Sequence, residues 1–166
     1  MRHWRRLLIP AAAILLAALL NCFFVLNAYV PSGSMEPAIP TGSMVLGNRL
    51  AYRKGAPGVG DVVFFHHPEA GERRCLVKRI VAGPGQTFAL RDGRVYIDGR
   101  LLEEPYVEEF SGDGYPETLV PEGCYVVLGD NRTESGDSRF WEDPFVRRED
   151  ILAKGVFVYF PKFCKL

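Results

Sequence analysis

The amino-terminal part of the chain contains one long apolar run, whereas the remainder alternates between short apolar runs and turns. Residues 7–30 carry no charged side chain, and three arginines precede them. As a helix, this segment would extend about 36 Å, and the hydrocarbon core of a bilayer needs about 20 residues. The pattern therefore predicts one transmembrane helix over residues 7–30. The positive-inside rule places residues 1–6 in the cytoplasm and residues 31–166 outside.

A cleaved signal peptide is the alternative interpretation of this run, because residues 7–20 alone have the length of a signal peptide's apolar core. Cleavage would need small residues at the −3 and −1 positions. Leu26 and Asn21 stand where small side chains would be wanted. An uncleaved anchor is therefore favoured.

From residue 43 onward the pattern is that of strands and turns. Apolar runs such as "SMVLGN", "GDVVFFHHP", "CLVKRIVAGPGQ", "GCYVVLGDN" and "GVFVYFP" are bounded by Gly, Asp and Pro. In "GRVYIDGRLL", turns are predicted at Asp92-Gly93 and Asp98-Gly99. No window shows a sustained helical period. The sequence predicts a mainly β domain of antiparallel, barrel-like sheets.

Composition narrows the function only slightly. The chain has 48 % apolar residues, 24 % charged residues and a formal net charge of zero, so no basic excess favours a nucleic-acid partner. The four cysteines form no CxxC pair, which disfavours a zinc site. They are Cys22 in the apolar run, and Cys75, Cys124 and Cys164. At most one internal disulfide could join the last three, the pair being left open, and buried free thiols are favoured.

The adjacent His66 and His67 do not form a favoured metal site, because neighbouring residues on a strand point to opposite faces.

A more unusual feature is the "CLVKRIV" strand, where each face carries one cation between aliphatic residues. The pattern alone does not choose between Lys78 and Arg79, and a lysine guarding an edge strand would look the same. Chemistry distinguishes them, because Arg stays protonated whereas a desolvated Lys can act as a base.

The stretch "GDNRTESGDSR" over residues 129–139 is dense in charged and polar side chains. Its composition suits a polar surface loop as well as a functional site. Together with three other motifs, however, it resembles bacterial signal peptidase I. Those motifs are "PSGSMEP", "GDVVFF" and "LVKRIVAGPGQ", and their order, their spacing and the preceding apolar run all agree. The resemblance covers essentially the whole chain.

The chain departs from the family pattern in two places. Ala38-Ile39 follows the proline of the first motif where the family often has Thr-Leu, and "AGPGQ" stands where "GLPGD" is usual. Neither departure touches a reacting atom, so they bear on pocket shape. The 51 positions from Lys78 to Gly129 resemble the compact members that lack a large inserted domain.

The resemblance implies a serine endopeptidase in which Ser34 is the nucleophile and Lys78 the general base. Ser135 would hydrogen-bond the Lys78 amine, and the Ser34 backbone N–H with the Ser32 hydroxyl would hold the oxyanion. We expect burial to lower the pKa of Lys78 from about 10.4 so that activity rises at roughly pH 8–9. Neither a metal nor another cofactor is required.

The other motif residues would be structural, with ion pairs holding the last motif against the lysine strand and Asp61 in a turn. These residues are Met35, Asp61, Arg79, Asp130, Asn131, Arg132, Asp137, Ser138 and Arg139. Ser34 lies four residues beyond Val30, within about 14 Å of the membrane face if the chain is extended. A signal peptide is cleaved at that same depth.

The resemblance implies partners and a location as well. Substrates would be preproteins with small residues, chiefly Ala, at −1 and −3, and the enzyme would be a monomer in the cytoplasmic membrane. A dedicated maturation peptidase for a pilin or another secreted protein remains an alternative. A catalytically silent, membrane-anchored binding domain is a further alternative, and intact Ser34, Lys78 and Ser135 argue against it. Self-cleaving SOS repressors share the Ser/Lys pair but need an amino-terminal DNA-binding domain.

Overall fold

The computed structural model describes residues 8–15, 23–69 and 71–166. Within these residues, β-strands form two sheets in which every pairing is antiparallel. The strands are β1 (Val25–Val30), β2 (Ser43–Asn48), β3 (Val62–Glu69), β4 (Glu72–Ala82), β5 (Thr87–Arg91), β6 (Arg94–Ile97), β7 (Arg100–Leu101), β8 (Tyr115–Leu119), β9 (Cys124–Leu128), β10 (Val146–Arg147), β11 (Ile151–Phe160) and β12 (Cys164–Lys165). A 3₁₀ turn spans Arg148–Asp150.

The large sheet has the order β1-β2-β11-β3-β4-β9-β10, with β12 added to β11. Five of its strands, β2, β3, β4, β9 and β11, coincide with the predicted apolar runs. The core beneath one end of this sheet includes Met35, Ile39 and Phe64, all buried. The predicted mainly β, antiparallel architecture is therefore confirmed.

The small sheet has the order β7-β6-β5-β8 and is inserted between β4 and β9. Both predicted Asp-Gly turns are present, and each places two consecutive residues at positive φ: 50° and 74° at Asp92-Gly93, and 51° and 73° at Asp98-Gly99. Two-residue hairpin turns require this geometry, which Gly and Asp adopt more readily than other residues. A shared apolar cluster, which includes Phe88 and Leu128, packs the small sheet against the large one.

The predicted helix over residues 7–30 is wrong at its carboxyl end. Val25–Val30 is strand β1, and all six of its residues pair in register with β2. The segment alternates, with Leu26 and Val30 buried, so pairing and burial favour a strand over continued helix. Residues 8–15 and 23–24 are helical. In the part of the chain that the structure describes, no helix has the length and apolar character needed to cross a bilayer. Residues 7 and 16–22 of the predicted anchor lie outside that part.

The described cysteines form no disulfide, so the favoured interpretation of free thiols is confirmed. Their predicted burial is wrong for Cys75 and Cys164, which are exposed, whereas Cys124 is half-buried. Cys22 lies outside the described residues.

Candidate active site

Strand β4 carries the predicted base into the core. From Glu72 to Arg79 β4 pairs with β3, but β9 joins its other edge only from Arg79 onward. Its first four residues are exposed, and every residue from Val77 to Ala82 is buried. Lys78 therefore stands where one edge of the strand is still unpaired but its side chain is already enclosed.

The predicted nucleophile lies in the turn that follows β1. The Glu36 N–H donates to the Gly33 carbonyl at 3.0 Å, and the Ile39 N–H donates to the Met35 carbonyl at 2.8 Å. Met35 is fully buried in the core of the large sheet. The apolar residue directly after Ser34 thus anchors this turn, which explains a Ser-Met pair in a segment otherwise composed as a linker.

The two predicted catalytic side chains meet. The Lys78 Nζ donates to the Ser34 Oγ at 2.6 Å. The exposed fraction of Lys78 is 4 % and that of Ser34 is 7 %. At this separation a neutral lysine amine could accept the serine proton directly.

Burial is the main cause that lowers the pKa of Lys78, to about 8. The charge of Asp137 opposes the shift, Arg139 favours it, and Asp130 opposes it. Arg139 is therefore the cation that favours neutral Lys78, although it is itself paired with Asp137 and Asp113.

The groups proposed for the oxyanion lie beside the nucleophile. The hydroxyl of Ser32 is 3.5 Å from the hydroxyl of Ser34. Among the described residues no acceptor engages the Ser34 backbone N–H, so this donor is available to a ligand. Two such donors can stabilise a developing negative charge.

Ser135 does not make the hydrogen bond that the resemblance implied. Its side chain is buried, yet its Oγ has no hydrogen-bond partner among the described residues. It lies close to Gly129, where a Cβ would fall 2.2 Å from the Ser135 Oγ and 2.4 Å from the Ser34 carbonyl oxygen. Gly129 therefore allows the last motif to approach the nucleophile, a role that the sequence analysis missed.

Two ion pairs hold the last motif. The Arg79 guanidinium donates to both carboxylate oxygens of Asp130, at 2.8 and 2.6 Å. Arg139 donates to both oxygens of Asp137 at 2.8 and 3.0 Å, and the same carboxylate accepts the Gly129 N–H at 2.9 Å. Arg79, Asp130, Asp137 and Arg139 thus form two buried ion pairs, which join the last motif to the lysine strand and close the loop upon itself.

The remaining motif residues also hold the backbone around the dyad in place. Asn131 donates to the carbonyls of the nucleophile turn, from its N–H to Ser34 at 3.2 Å and from its amide to Gly33 at 3.2 Å. Arg132 donates to the Gly129 carbonyl at 3.0 Å. Ser138 accepts the Val127 N–H at 3.0 Å and so fixes the return of the loop on β9. All of these contacts link backbone segments around the dyad.

Asp61 lies outside the dyad, as expected for a turn residue. Its carboxylate accepts hydrogen bonds from the Tyr52 hydroxyl at 2.9 Å, the Gly58 N–H at 3.1 Å and Lys154 at 2.5 Å. Burial would raise the pKa of Asp61, but these hydrogen bonds lower it below the ordinary value. The residue joins β3 to β11 and to the preceding loop.

The dyad opens into a cleft of about 970 Å³ that is bordered by two strand edges. One wall is β1, the terminal strand of the large sheet, and the other is the segment of β4 that β9 does not cover. His66 and His67 line the same cleft farther out, and His67 stacks on Trp141 with 3.8 Å between ring centroids. The site can therefore hold an extended peptide next to a nucleophile and a base.

Comparisons with known proteins identify a family and several relatives of this chain. The family described as "Signal peptidase, peptidase S26" matches residues 1–160. The probable signal peptidase I-1 of Synechocystis is 36 % identical over 90 % of this chain and 78 % of its own length. The signal peptidase I of Bacillus caldolyticus is 33 % identical over 90 % of this chain and 87 % of its own length.

Among solved structures, a signal peptidase I from Enterococcus faecalis V583 is 30 % identical, with a TM-score of 0.48 over 59 % of this chain and 95 % of that one. The sequence matches alone cover most of the chain and most of each relative. The chain therefore belongs to the signal peptidase family, peptidase S26, whose members are serine endopeptidases that cleave signal peptides.

Proposed function

We propose that this protein removes signal peptides with Ser34 as the nucleophile and neutral Lys78 as the general base. The observation that carries the proposal is the 2.6 Å contact between Lys78 Nζ and Ser34 Oγ in a buried setting. A lysine with a pKa of about 8 is deprotonated often enough near neutral pH to take the serine proton.

In the proposed reaction, Ser34 Oγ attacks the carbonyl carbon of the scissile bond while its proton passes to Lys78. The Ser34 N–H and the Ser32 hydroxyl hold the resulting oxyanion, and one such donor is typically worth about 10²–10³ in rate. Lys78 then gives the proton to the departing amine of the mature protein. Water, deprotonated by Lys78, releases the signal peptide from the acyl-enzyme. The side chains present supply every proton transfer, so we propose no metal or cofactor.

The cleft supports a mode of substrate binding by strand addition. A preprotein segment in extended conformation could hydrogen-bond to the free edges of β1 and β4, which border the cleft on two sides. Alternate residues of an extended chain point the same way, so positions −1 and −3 face one wall. We propose that this wall admits only small side chains there, chiefly Ala.

The direction of the substrate follows from the order of segments in the enzyme. Both β1 and β4 run toward the dyad, and the apolar run of residues 7–24 precedes β1. A signal peptide also has its apolar segment before its cleavage site. We propose that the two apolar segments lie side by side, so that the substrate runs parallel to β1.

The membrane anchor is part of the same proposal, now with a shorter span. Because β1 begins at Val25, the uncharged run available for a helix is residues 7–24, about 27 Å long at 1.5 Å per residue. That length is close to the hydrocarbon thickness of a bilayer. We propose a single-pass protein of the cytoplasmic membrane, with residues 1–6 inside, the β domain outside, and a complete dyad in each monomer.

The shorter span lengthens the connection between the proposed anchor and the nucleophile. Ser34 lies ten residues beyond Phe24, rather than four residues beyond a helix ending at Val30. The reach to the active site is therefore provided by the ordered strand β1, and the substrate segment beside it would have a similar length.

The experiment is cleavage of a preprotein by the full-length protein purified in detergent. We expect release of the mature chain after a small residue at −1, and none from Ser34→Ala. A panel of unrelated preproteins then separates a general peptidase, which cleaves most of them, from a dedicated maturation enzyme that cleaves one. Undiminished cleavage by Ser34→Ala would contradict the proposal.

A further inference from the structure

A segment outside the four motifs crosses from the small sheet to the active-site loop. Residues 102–114, here called the strap, connect β7 to β8. The Leu102 N–H donates to the Val95 carbonyl at 2.9 Å, and the Gly93 N–H donates to the Asp113 carbonyl at 2.8 Å. Both ends of the strap are therefore fixed to the β5–β6 hairpin.

The first strap contact is a buried ion pair. The Glu104 carboxylate accepts a hydrogen bond from Arg132, and the exposed fractions of the two side chains are 2 % and 1 %. Arg132 in turn donates to the carbonyl of Gly129, the residue that packs against the nucleophile turn. A buried guanidinium without a carboxylate is costly, so Glu104 is what allows Arg132 to stay at this position.

The second contact reaches the lysine strand. The Arg79 guanidinium lies 4.1 Å from the centroid of the Tyr106 ring. The hydroxyl of Tyr106 donates to Glu104 at 2.9 Å. The strap thus contacts the arginine next to Lys78 as well as the arginine next to Gly129.

The third contact involves the arginine that acts on Lys78. Arg139 donates to the Asp113 carboxylate and to the Ser111 hydroxyl, both at 2.9 Å. It also donates to the backbone carbonyls of Arg132 at 2.9 Å and Ser135 at 3.2 Å. The strap therefore supplies hydrogen-bond acceptors to Arg132 and Arg139 and an aromatic ring to Arg79.

We propose that Glu104 and Asp113 are positioning residues, which hold the loop of residues 129–139 through Arg132 and Arg139 and balance its charge against Lys78. This inference rests on the proposed function and concerns how readily Lys78 gives up its proton. Nothing in the four motifs identifies these carboxylates, because they belong to the segment between β7 and β8.

The charges near Lys78 determine the direction in which its pKa should move when a strap carboxylate is removed. The charges that act most on Lys78 are those of Asp137, Arg139 and Asp130. The other charged or titratable groups that line its cleft are Arg49, His66, His67, Arg74 and Glu134. Glu104 and Asp113 reach this set through Arg132 and Arg139. Removing a strap carboxylate leaves an arginine less neutralised, and the added positive potential disfavours protonated Lys78. A loosened loop would have the opposite effect, because water reaching Lys78 would favour its charged form.

The first test is Glu104→Gln, which keeps the size and hydrogen-bonding groups of the side chain. The measurement is kcat/KM against pH on a peptide with Ala at −3 and −1. We expect the acid limb to move to lower pH by roughly 0.5–1 unit, the scale of one uncompensated charge at an effective dielectric near 20. In Glu104→Gln with Arg132→Met, the charge balance is restored and the limb returns toward its original position.

The second test uses the outer carboxylate, which does not depend on a fully buried site. Asp113 has a side chain that is 36 % exposed, so Asp113→Asn should fold. We expect a shift in the same direction but smaller, roughly 0.2–0.5 unit, because solvent screens the charge. Asp92→Asn is the matched control, because it removes one exposed carboxylate from the same small sheet at a turn position that Asn tolerates.

An acid limb that stays in place in both strap variants, or that moves up toward about 10, would overturn the inference. Ser34→Ala, assayed on the same peptide, separates this failure from failure of the proposed function. If activity requires Ser34 but the acid limb does not shift in the Glu104 and Asp113 variants, only the charge-balancing role of the strap is wrong.

Discussion

On one face of β4 the Arg79 guanidinium gives two hydrogen bonds to the Asp130 carboxylate, whereas on the other the Lys78 amine contacts the neutral hydroxyl of Ser34. Both side chains are largely buried, at 9 % and 4 % exposure. Arg79 keeps its charge because a carboxylate accompanies it into the interior. Lys78 has no ion-pair partner among the described residues, so the same burial favours its neutral form.

This difference shows how neighbouring positions on one strand can serve structure and chemistry. Arginine remains protonated in proteins, and its planar group suits a bidentate pair. Lysine loses its proton when it is desolvated. Arg79, which is paired with Asp130, fixes the loop of residues 129–139. Lys78, which has no such partner among the described residues, faces Ser34, the nucleophile beside this loop.

The largest expected effect comes from removing either member of the dyad. Ser34→Ala and Lys78→Ala should each lower kcat by at least about 10⁴-fold. The two side chains act as one unit, so removing either one loses nearly the whole catalytic effect of both. Lys78→Arg should be equally inactive, since it keeps the positive charge but does not yield a base at accessible pH. Preprotein processing by purified protein measures all three. Substantial activity in Lys78→Arg would mean that the distinction between the two faces is wrong.

The next effect concerns the Arg79–Asp130 pair on the other face of β4, and it is measured as the free energy of unfolding. Asp130→Asn leaves the Arg79 charge buried without its carboxylate, and we expect the free energy of unfolding to fall by about 3–5 kcal/mol. Urea unfolding followed by tryptophan fluorescence measures the change. Glu117→Gln is the control, because its pair with Arg91 is exposed on both sides and spans 3.6 Å. An exposed pair contributes about 0–1 kcal/mol, so equal losses in both variants would contradict the argument.

A third change tests the approach of the loop to the nucleophile. In Gly129→Ala the added Cβ would lie 2.4 Å from the Ser34 carbonyl oxygen, so the turn or the loop must move. A displacement of about 1 Å at a reacting group can cost about 10²-fold, and we expect kcat/KM to fall on that scale. Gly55→Ala is the control, since a Cβ there meets no atom within 4 Å. Unchanged activity in Gly129→Ala would show that the close packing is not needed.

Strands β2, β3, β4, β9 and β11 of the large sheet were predictable because each apolar run is bounded by turn residues, as in "SMVLGN" and "GDVVFF". The dyad was identified by resemblance to a family, and burial of the strand made Lys78 chemically reasonable. Strand β1 was missed because Val25–Val30 continues an uncharged run, so that hydropathy alone does not separate helix from strand. Only the ladder to β2 and the burial of alternate residues distinguish them.

The ion-pair partners of the last motif were predictable only where they belong to one of the four motifs. The pairs Arg79–Asp130 and Arg139–Asp137 join residues that the resemblance had already singled out. Glu104 escaped notice because it follows another glutamate in a segment without periodicity, where a charged residue usually faces solvent. Its burial depends on the small sheet folding back over the loop, and no local pattern records that contact. The Ser135 hydroxyl, expected to contact Lys78, instead has no partner among the described residues.

The smallest expected effect is a pH dependence, and it tests the unpaired face directly. Activity requires neutral Lys78, whose pKa burial lowers to about 8. Below that value the neutral fraction falls tenfold per pH unit, so kcat/KM at pH 7 should be about one-tenth of its plateau. The plateau is reached above about pH 9, well before an unperturbed lysine with a pKa near 10.4 would have lost its proton. The measurement is kcat/KM against pH on a peptide with Ala at −3 and −1, with the unfolding midpoint followed at each pH to exclude loss of structure. An acid limb near 10 would mean that water reaches Lys78. A limb near 6.5 that disappears in His66→Ala or His67→Ala would assign the base to a histidine of the same cleft, and the contrast between the faces of β4 would no longer explain catalysis.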